Sequence, residues 1–182
     1  MSAPSYGMAV DTRTCVACAA CVISCKTEND VAEGFSRDWI FTATSGSFPN
    51  LEMEIRSERC NHCEDAPCVS VCPTGASHYG PGGTVQVTDS KCTGCKACIA
   101  ACPYDARFID PRSGAIDKCT FCAHRMEDES YTTACQDVCP TKSIYFGDLN
   151  DPESEISRLV RTRQAYALLP DAGTRPKHFF LK

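Results

Sequence analysis

Sixteen of the 182 residues are cysteine, and they fall into four groups of four with none left over. The first group, Cys15, Cys18, Cys21 and Cys25, and the third, Cys92, Cys95, Cys98 and Cys102, share the spacing C-x-x-C-x-x-C-x-x-x-C. The second, Cys60, Cys63, Cys68 and Cys72, has a longer middle gap, and the fourth, Cys119, Cys122, Cys135 and Cys139, a longer one again. Pro73, Pro103 and Pro140 follow the last cysteine of groups two, three and four; Lys26 stands there in group one. The fold must be organised around whatever these thiols bind, because the ordinary core is thin. The apolar fraction of 43% counts the cysteines and falls to roughly a third without them.

Three thiolates spaced two residues apart let one short loop curl around a cuboidal iron-sulfur cluster and aim backbone N–H groups at its sulfurs. This is the spacing of bacterial ferredoxins. There the fourth cysteine ligates the neighbouring cluster, and the proline behind it turns the chain away. Sixteen thiolates therefore predict four [4Fe-4S] clusters and an electron carrier. A disulfide framework is the first competing use, but such scaffolds are short and secreted. Structural zinc is the stronger competitor, since Cys60-x-x-Cys63 and Cys119-x-x-Cys122 each read as half a site. Zinc wants two separated pairs, however, and three cysteines within seven residues clamp a tetrahedral ion poorly.

The formal charge of -5 and pI near 5.3 argue against nucleic acid and against an anionic membrane surface, leaving other proteins as partners. No run of eighteen apolar residues occurs, and the segment Met1 to Met8 has neither a basic region nor an apolar stretch of signal-peptide type. The chain is therefore expected neither to insert in a membrane nor to direct its own export. Cluster assembly is expected in the reducing cytoplasm, with much of the folding free energy supplied by the metal centres. There is no nucleophile–base pair or phosphate-cradling glycine loop, so no catalytic site of its own is expected.

An internal repeat organises the chain. Val10-Asp11 before group one echoes Val87-Thr-Asp89 before group three, and Cys68 to Thr74 of group two echoes Cys135 to Thr141 of group four. The pattern reads as tandem duplication of a two-group unit, with residues 27–59 inserted in the first copy. Gly80-Pro-Gly-Gly83 and the alternating Thr84 to Thr88 predict a turn and short strand, with Tyr6 to Val10 as a candidate partner strand. Short helices are expected after Cys21 and Cys98. Trp39, with Phe35, Ile40, Phe41 and Phe48, reads as a packing flap. Asp151 as cap and Pro152 as first helical residue predict a helix carrying Ile156, Leu159 and Val160. The apolar, cationic end Lys177 to Lys182 is free either to clasp a partner or to fold onto its own domain.

Together, the four groups, the Cys60-Asn-His-Cys63 and Cys119-Thr-Phe-Cys122 pairs, and the closing Gly147-Asp-Leu and Gly173-Thr-Arg-Pro segments resemble the four-cluster electron-transfer subunits of molybdopterin oxidoreductases. The small subunits of polysulfide, thiosulfate, tetrathionate and arsenate reductases are the nearest in kind. Similar four-cluster chains serve hydrogenases, formate dehydrogenases and nitrite reductases. The lengths between groups leave several ligand pairings open, and the resemblance implies a nested one. One cluster would take Cys15, Cys18, Cys21 and Cys139; a second Cys25, Cys119, Cys122 and Cys135; a third Cys60, Cys63, Cys68 and Cys102; the fourth Cys72, Cys92, Cys95 and Cys98.

The fold class so implied is α+β with little regular structure, built of two ferredoxin-like units related by pseudo-symmetry. Residues 1–59 with 103–147 form one, residues 60–102 the nested other, and 148–182 a terminal helix and tail. The resemblance also implies a large molybdopterin catalytic subunit at the first cluster and a membrane quinone-interacting subunit or cytochrome at the last. It implies work in anaerobic respiration, facing the periplasm through co-export with the catalytic subunit. Cys95 stands where some relatives carry tryptophan and hold three irons, so a full cubane is expected here. Lys26, Lys91, Lys96, Arg107, Lys118 and Arg125 lie near ligands in sequence, where they could raise a cluster's potential. His62 and His124 lie beside ligand cysteines, but ligation by them is not expected with sixteen cysteines present.

Overall fold

Strands lie outside the cysteine groups, and short helices lie within them. The structure, a computed structural model, describes residues 3–128 and 130–182. β1 (Tyr6–Asp11) leads into group one, α1 (Ala20–Glu28) carries Cys21 and Cys25, and a long hairpin of β2 (Asp38–Ser47) and β3 (Asn50–Arg59) follows. The single turns α2 (Pro67–Ser70), α3 (Ala97–Ala100) and α4 (Ala134–Asp137) hold Cys68, Cys98 and Cys135. Between them lie two small hairpins, β4 (Ser77–Tyr79) with β5 (Val85–Val87) and β6 (Phe108–Ile109) with β7 (Ile116–Asp117). The chain closes on β8 (Ile144–Asp148), α5 (Glu155–Thr162), β9 (Ala165–Tyr166) and β10 (His178–Leu181). This is a small α+β fold with few helices.

The one larger sheet has the order β8-β1-β10-β9, with β1 antiparallel to β8 and parallel to β10. Successive side chains on a strand point to opposite faces, and β1 divides two cores in this way. Met8 and Val10 face the cysteine loops alongside Phe121, Ile144 and Phe180. Ala9 faces α5, where it meets Ile156 and Leu181. The terminal segment therefore folds onto its own domain: Phe180 and Leu181 are wholly buried in an inner strand.

The fold departs from the sequence pattern at three places. The partner of the strand at residues 85–87 is β4 rather than Tyr6 to Val10, because β1 is committed on both edges to β8 and β10. The Tyr6 ring instead lies over Gly82, whose φ of 62° and lack of a side chain allow the close approach. The terminal helix starts at Glu155, capped by Ser154, whose Oγ accepts the Ser157 N–H at 3.2 Å. Asp151 accepts the Glu153 N–H at 2.9 Å in a local turn and leaves Pro152 outside the helix. The flap is a two-stranded arm whose base alone packs. Trp39 and Ile40 join the main core and Phe35 stacks on Phe108 at 5.1 Å, whereas Phe48 at the tip is 88% exposed. The expected helices after Cys21 and Cys98 are present as α1 and α3.

Candidate iron-sulfur centres

Sharp loops need left-handed backbone, and it falls at matching places of the repeat. Ala17 (φ 56°) corresponds to Gly94 (66°), Ala19 (58°) to Lys96 (64°), His62 (43°) to Phe121 (56°), and Gly75 (66°) to Lys142 (51°). Such residues are uncommon outside glycine and cost energy that the surroundings must offset. Here they wrap the cysteine loops around internal spaces. α1 packs on α4 and α2 on α3, so group one meets group four and group two meets group three. The Ser24 hydroxyl donates to the Ala134 carbonyl at 3.0 Å across the first of these contacts.

Cysteines from different groups line common cavities. Cys15, Cys18, Cys21 and Cys139 surround one, Cys25, Cys119, Cys122 and Cys135 a second, and Cys72, Cys92, Cys95 and Cys98 a third. The remaining four are also close: Cys63 is acted on by the charges of Cys60, Cys68 and Cys102. The sets are adjacent in turn. Arg59, within reach of Cys135, also acts on Cys21, Cys60 acts on Cys119, and Arg107 lies near both Cys68 and Cys98. The His62 ring stacks on Phe121 at 3.7 Å, joining the loops that carry Cys60 and Cys119.

The donors suit polynuclear iron rather than a single ion. Among the described residues, no three His, Cys, Asp or Glu side chains converge closely enough to hold one metal ion, whereas thiolates spread around a cavity match the corners of a cubane. Burial drives the Cys63 and Cys119 thiols up to about 12 and Cys25 higher still. Such thiols stay protonated until a cationic core displaces the proton, as ligands do. Polar groups also reach the sulfurs. The Ser77 and Ser143 N–H groups donate to Cys72 and Cys139 at 3.3 Å each. The buried Arg59 and Arg107 donate to Cys135 and Cys68 at 2.8 Å each. Arg59 Nε and Arg107 Nη1 have no protein partner, and their residues line the second and third cavities. Buried donors of this kind suit inorganic sulfide as acceptor.

Of the basic residues singled out by sequence position, Arg107 is the one that bonds a cysteine sulfur. Lys118 is buried and donates to the carbonyls of Val85 and Cys119. Lys26 donates to backbone carbonyls of Ala32 and Phe35, Arg125 holds Glu28 and Asp137, and Lys91 and Lys96 are exposed. His124 pairs with Glu28 at 2.6 Å. His62 accepts the Val85 N–H on Nδ1 at 3.0 Å, and burial holds it neutral. Sequence reasoning missed Arg59 and Asp38, both 1% exposed, with Arg59 Nη1 3.8 Å from Asp38 Oδ2. The signal for Arg59 was available: it precedes Cys60 as Lys118 precedes Cys119.

The matched loops, the cysteine-lined spaces and the sulfur-directed donors define an iron-sulfur protein, and the chain belongs to the 4Fe-4S dicluster domain family. Two models of that description match it, one over residues 14–76 and one over 51–149. Protein NrfC of Escherichia coli is 44% identical over 174 residues, 94% of this chain and 78% of that protein. Thiosulfate reductase electron transfer subunit PhsB of Salmonella typhi is 45% identical over 163 residues, covering 88% and 84%. Arsenate respiratory reductase iron-sulfur subunit ArrB of a Shewanella species is 34% identical over 224 residues, covering 97% and 95%. Two dicluster domains and sixteen cysteines fit four [4Fe-4S] clusters. No helix among the described residues is long and apolar enough to cross a membrane.

Proposed function

We propose that the chain is the electron-transfer subunit of a molybdopterin (bis-MGD) oxidoreductase complex of anaerobic respiration, with no catalytic site of its own. It relays electrons between a catalytic molybdenum subunit and a membrane quinone-linked or cytochrome partner. The observation that carries this reading is a chain of four adjacent cysteine sets that is buried in the middle and open at both ends. Cys18 at one end and Cys95 at the other are exposed, while Cys25, Cys60, Cys63, Cys68, Cys119, Cys122 and Cys135 between them are buried. A relay needs that distribution: access for partners at its ends and insulation from solvent between. The thiosulfate reductase relative bears the name of an electron transfer subunit, which supports the same role.

The three cysteine-lined cavities support three of the ligand sets, and the remaining four cysteines make up the other. Cys15, Cys18, Cys21 and Cys139 hold the first cluster; Cys25, Cys119, Cys122 and Cys135 the second; Cys60, Cys63, Cys68 and Cys102 the third; Cys72, Cys92, Cys95 and Cys98 the fourth. Each bound cluster supplies a one-electron carrier. The chain's own residues fix the thiolates, exclude water from the inner sets and aim N–H donors at sulfur. The pairing of α1 with α4 and α2 with α3 supports two nested ferredoxin-like units, residues 1–59 with 103–147 and residues 60–102. The matched left-handed residues support their pseudo-symmetry. The first cluster faces the molybdenum subunit and the fourth the membrane partner, on the periplasmic side after assembly in the cytoplasm.

Anaerobic purification from the native host tests the reading. A large subunit containing molybdenum and pterin should accompany the chain, and in membranes a reduced quinol analogue should bleach the iron-sulfur absorbance. Purification with a multihaem cytochrome or a hydrogenase subunit, and no molybdenum, would overturn it.

A further inference from the structure

Buried charge is distributed unevenly between the two inner cysteine sets. Arg107, Lys118 and Lys177 are each 5% exposed or less, and among the described residues none of them is paired with a carboxylate. All three act on the Cys60, Cys63, Cys68 and Cys102 set, Arg107 also on Cys98 of the fourth set and Lys118 also on Cys119 of the other inner set. Arg107 donates to Cys68 at 2.8 Å and to Ser77 Oγ at 2.9 Å. Among the cysteines Lys118 acts first on Cys60, then on Cys119 and Cys68, and its Nζ is held by the carbonyls of Val85 and Cys119. Lys177 is tied to the Gly83 carbonyl and acts on Cys63 and Cys60. The carboxylate that reaches this neighbourhood, Glu64, is 59% exposed and bound by Arg175 at 3.1 Å.

The other inner set has a different environment. Its one buried cation at bonding distance is Arg59, which stands 3.8 Å from the buried Asp38 carboxylate. Asp38 itself lines the cavity of Cys25, Cys119, Cys122 and Cys135. Neither Asp38 carboxylate oxygen has a hydrogen-bond partner, and the largest offset to its charge is Arg59.

Reduction adds one negative charge to a cluster that four thiolates have already made anionic. In a low-dielectric interior, a fixed cation stabilises the reduced form and a fixed anion destabilises it. Resting on the electron-transfer reading above, we infer that the two inner sites are unequal. The Cys60, Cys63, Cys68 and Cys102 site has the higher reduction potential, set by Arg107, Lys118 and Lys177, and the Cys25, Cys119, Cys122 and Cys135 site the lower, set by Asp38. Arg107 and Asp38 are thus positioning residues for the electron. One electron passing between the inner sites oxidises one by one unit and reduces the other by one, with no bond made and no proton required. A singly reduced inner pair holds its electron in the unit built from residues 60–102.

The test is an EPR-monitored redox titration of the full-length holoprotein and of Arg107→Met, Lys118→Met and Asp38→Asn, each after iron and sulfide analysis. Arg107→Met should lower one inner step, Lys118→Met should lower that step together with the Asp38-sensitive one, and Asp38→Asn should raise a different inner step that lies below the Arg107-sensitive one in the wild type. Arg107→Lys, which retains the charge, should restore most of the Arg107→Met shift and serves if that variant fails to fold. The inference is overturned if the Arg107-sensitive step lies below the Asp38-sensitive one, if both variants move the same step, or if neither moves any. A wild-type preparation without labile sulfide would overturn the cluster reading itself, which is a distinguishable failure.

Discussion

Truncating Phe180 to alanine should cripple the fold, although the residue lies two positions from the end of the chain. Phe180 is 0% exposed, sits on an inner strand, and stands 4.8 Å from the His178 ring and 5.5 Å from Tyr166. A buried aromatic removes roughly 150–250 Å² from water, worth about 4–6 kcal/mol at ~25 cal/mol per Å². Alanine keeps the Cβ portion, and the neighbours on β1 and β9 are pinned by the sheet and cannot close the hole, so a loss of about 3–5 kcal/mol is expected. Cluster release makes unfolding irreversible, and the measurable quantity is a rate. If the barrier loses these contacts, anaerobic unfolding in guanidinium, followed by bleaching of the visible chromophore, should accelerate by about two to four powers of ten. Phe179→Ala, half-buried against α5, should accelerate it far less. Phe48→Ala, at an 88% exposed tip, should change stability by no more than about 0.5 kcal/mol. A Phe180→Ala protein that unfolds at the Phe48→Ala rate would refute the placement of the tail in the sheet.

Ser154→Ala should cost about 1 kcal/mol through the lost cap, and Asp151→Ala much less, by the same unfolding assay; equal losses would return the cap to Asp151. Glu28 accepts from Arg125 and His124, which hold its carboxyl down at about 2, below the ordinary 4.5. Its folded value is depressed, so its stabilisation is full above about 4.5 and fades as the pH falls toward about 2. Glu28→Gln should therefore narrow its stability gap to wild type across that acid range and show the full gap near neutrality; a gap independent of pH counts against the pairing. Cys95→Ser should remove one cluster, leaving about twelve irons of sixteen, or convert it to three irons, leaving about fifteen, and loss of every signal would show that the four centres cannot be separated.

The chemistry of this chain was legible because cysteine spacing is a local property. Two residues between thiols dictate a loop that curls, and the loops curl as expected, with left-handed backbone even at Ala17, Ala19 and Lys96. Which groups share a cavity was not legible from spacing, since it depends on short helices meeting across the fold. Strand partners failed for a similar reason: Tyr6 to Val10 has the right pattern, but pattern does not name a partner, and β8 and β10 come from more than 130 residues away. Asp151 and Ser154 both look like caps in sequence; geometry assigns one to a turn and the other to the helix. The tail was open to two readings because His178, Phe179, Phe180 and Leu181 would suit either a partner or an inner strand. Arg59 and Asp38 went unread because each looks like ordinary surface charge until the fold buries it.

Iron and acid-labile sulfide per chain on anaerobically purified protein, paired with EPR of the dithionite-reduced sample, test the central claim most directly. The sixteen cysteines, gathered in four sets, predict about sixteen of each element and interacting spin signals from neighbouring clusters. About four zinc per chain with no sulfide would contradict it, leaving a protein held together by metal but unable to carry an electron.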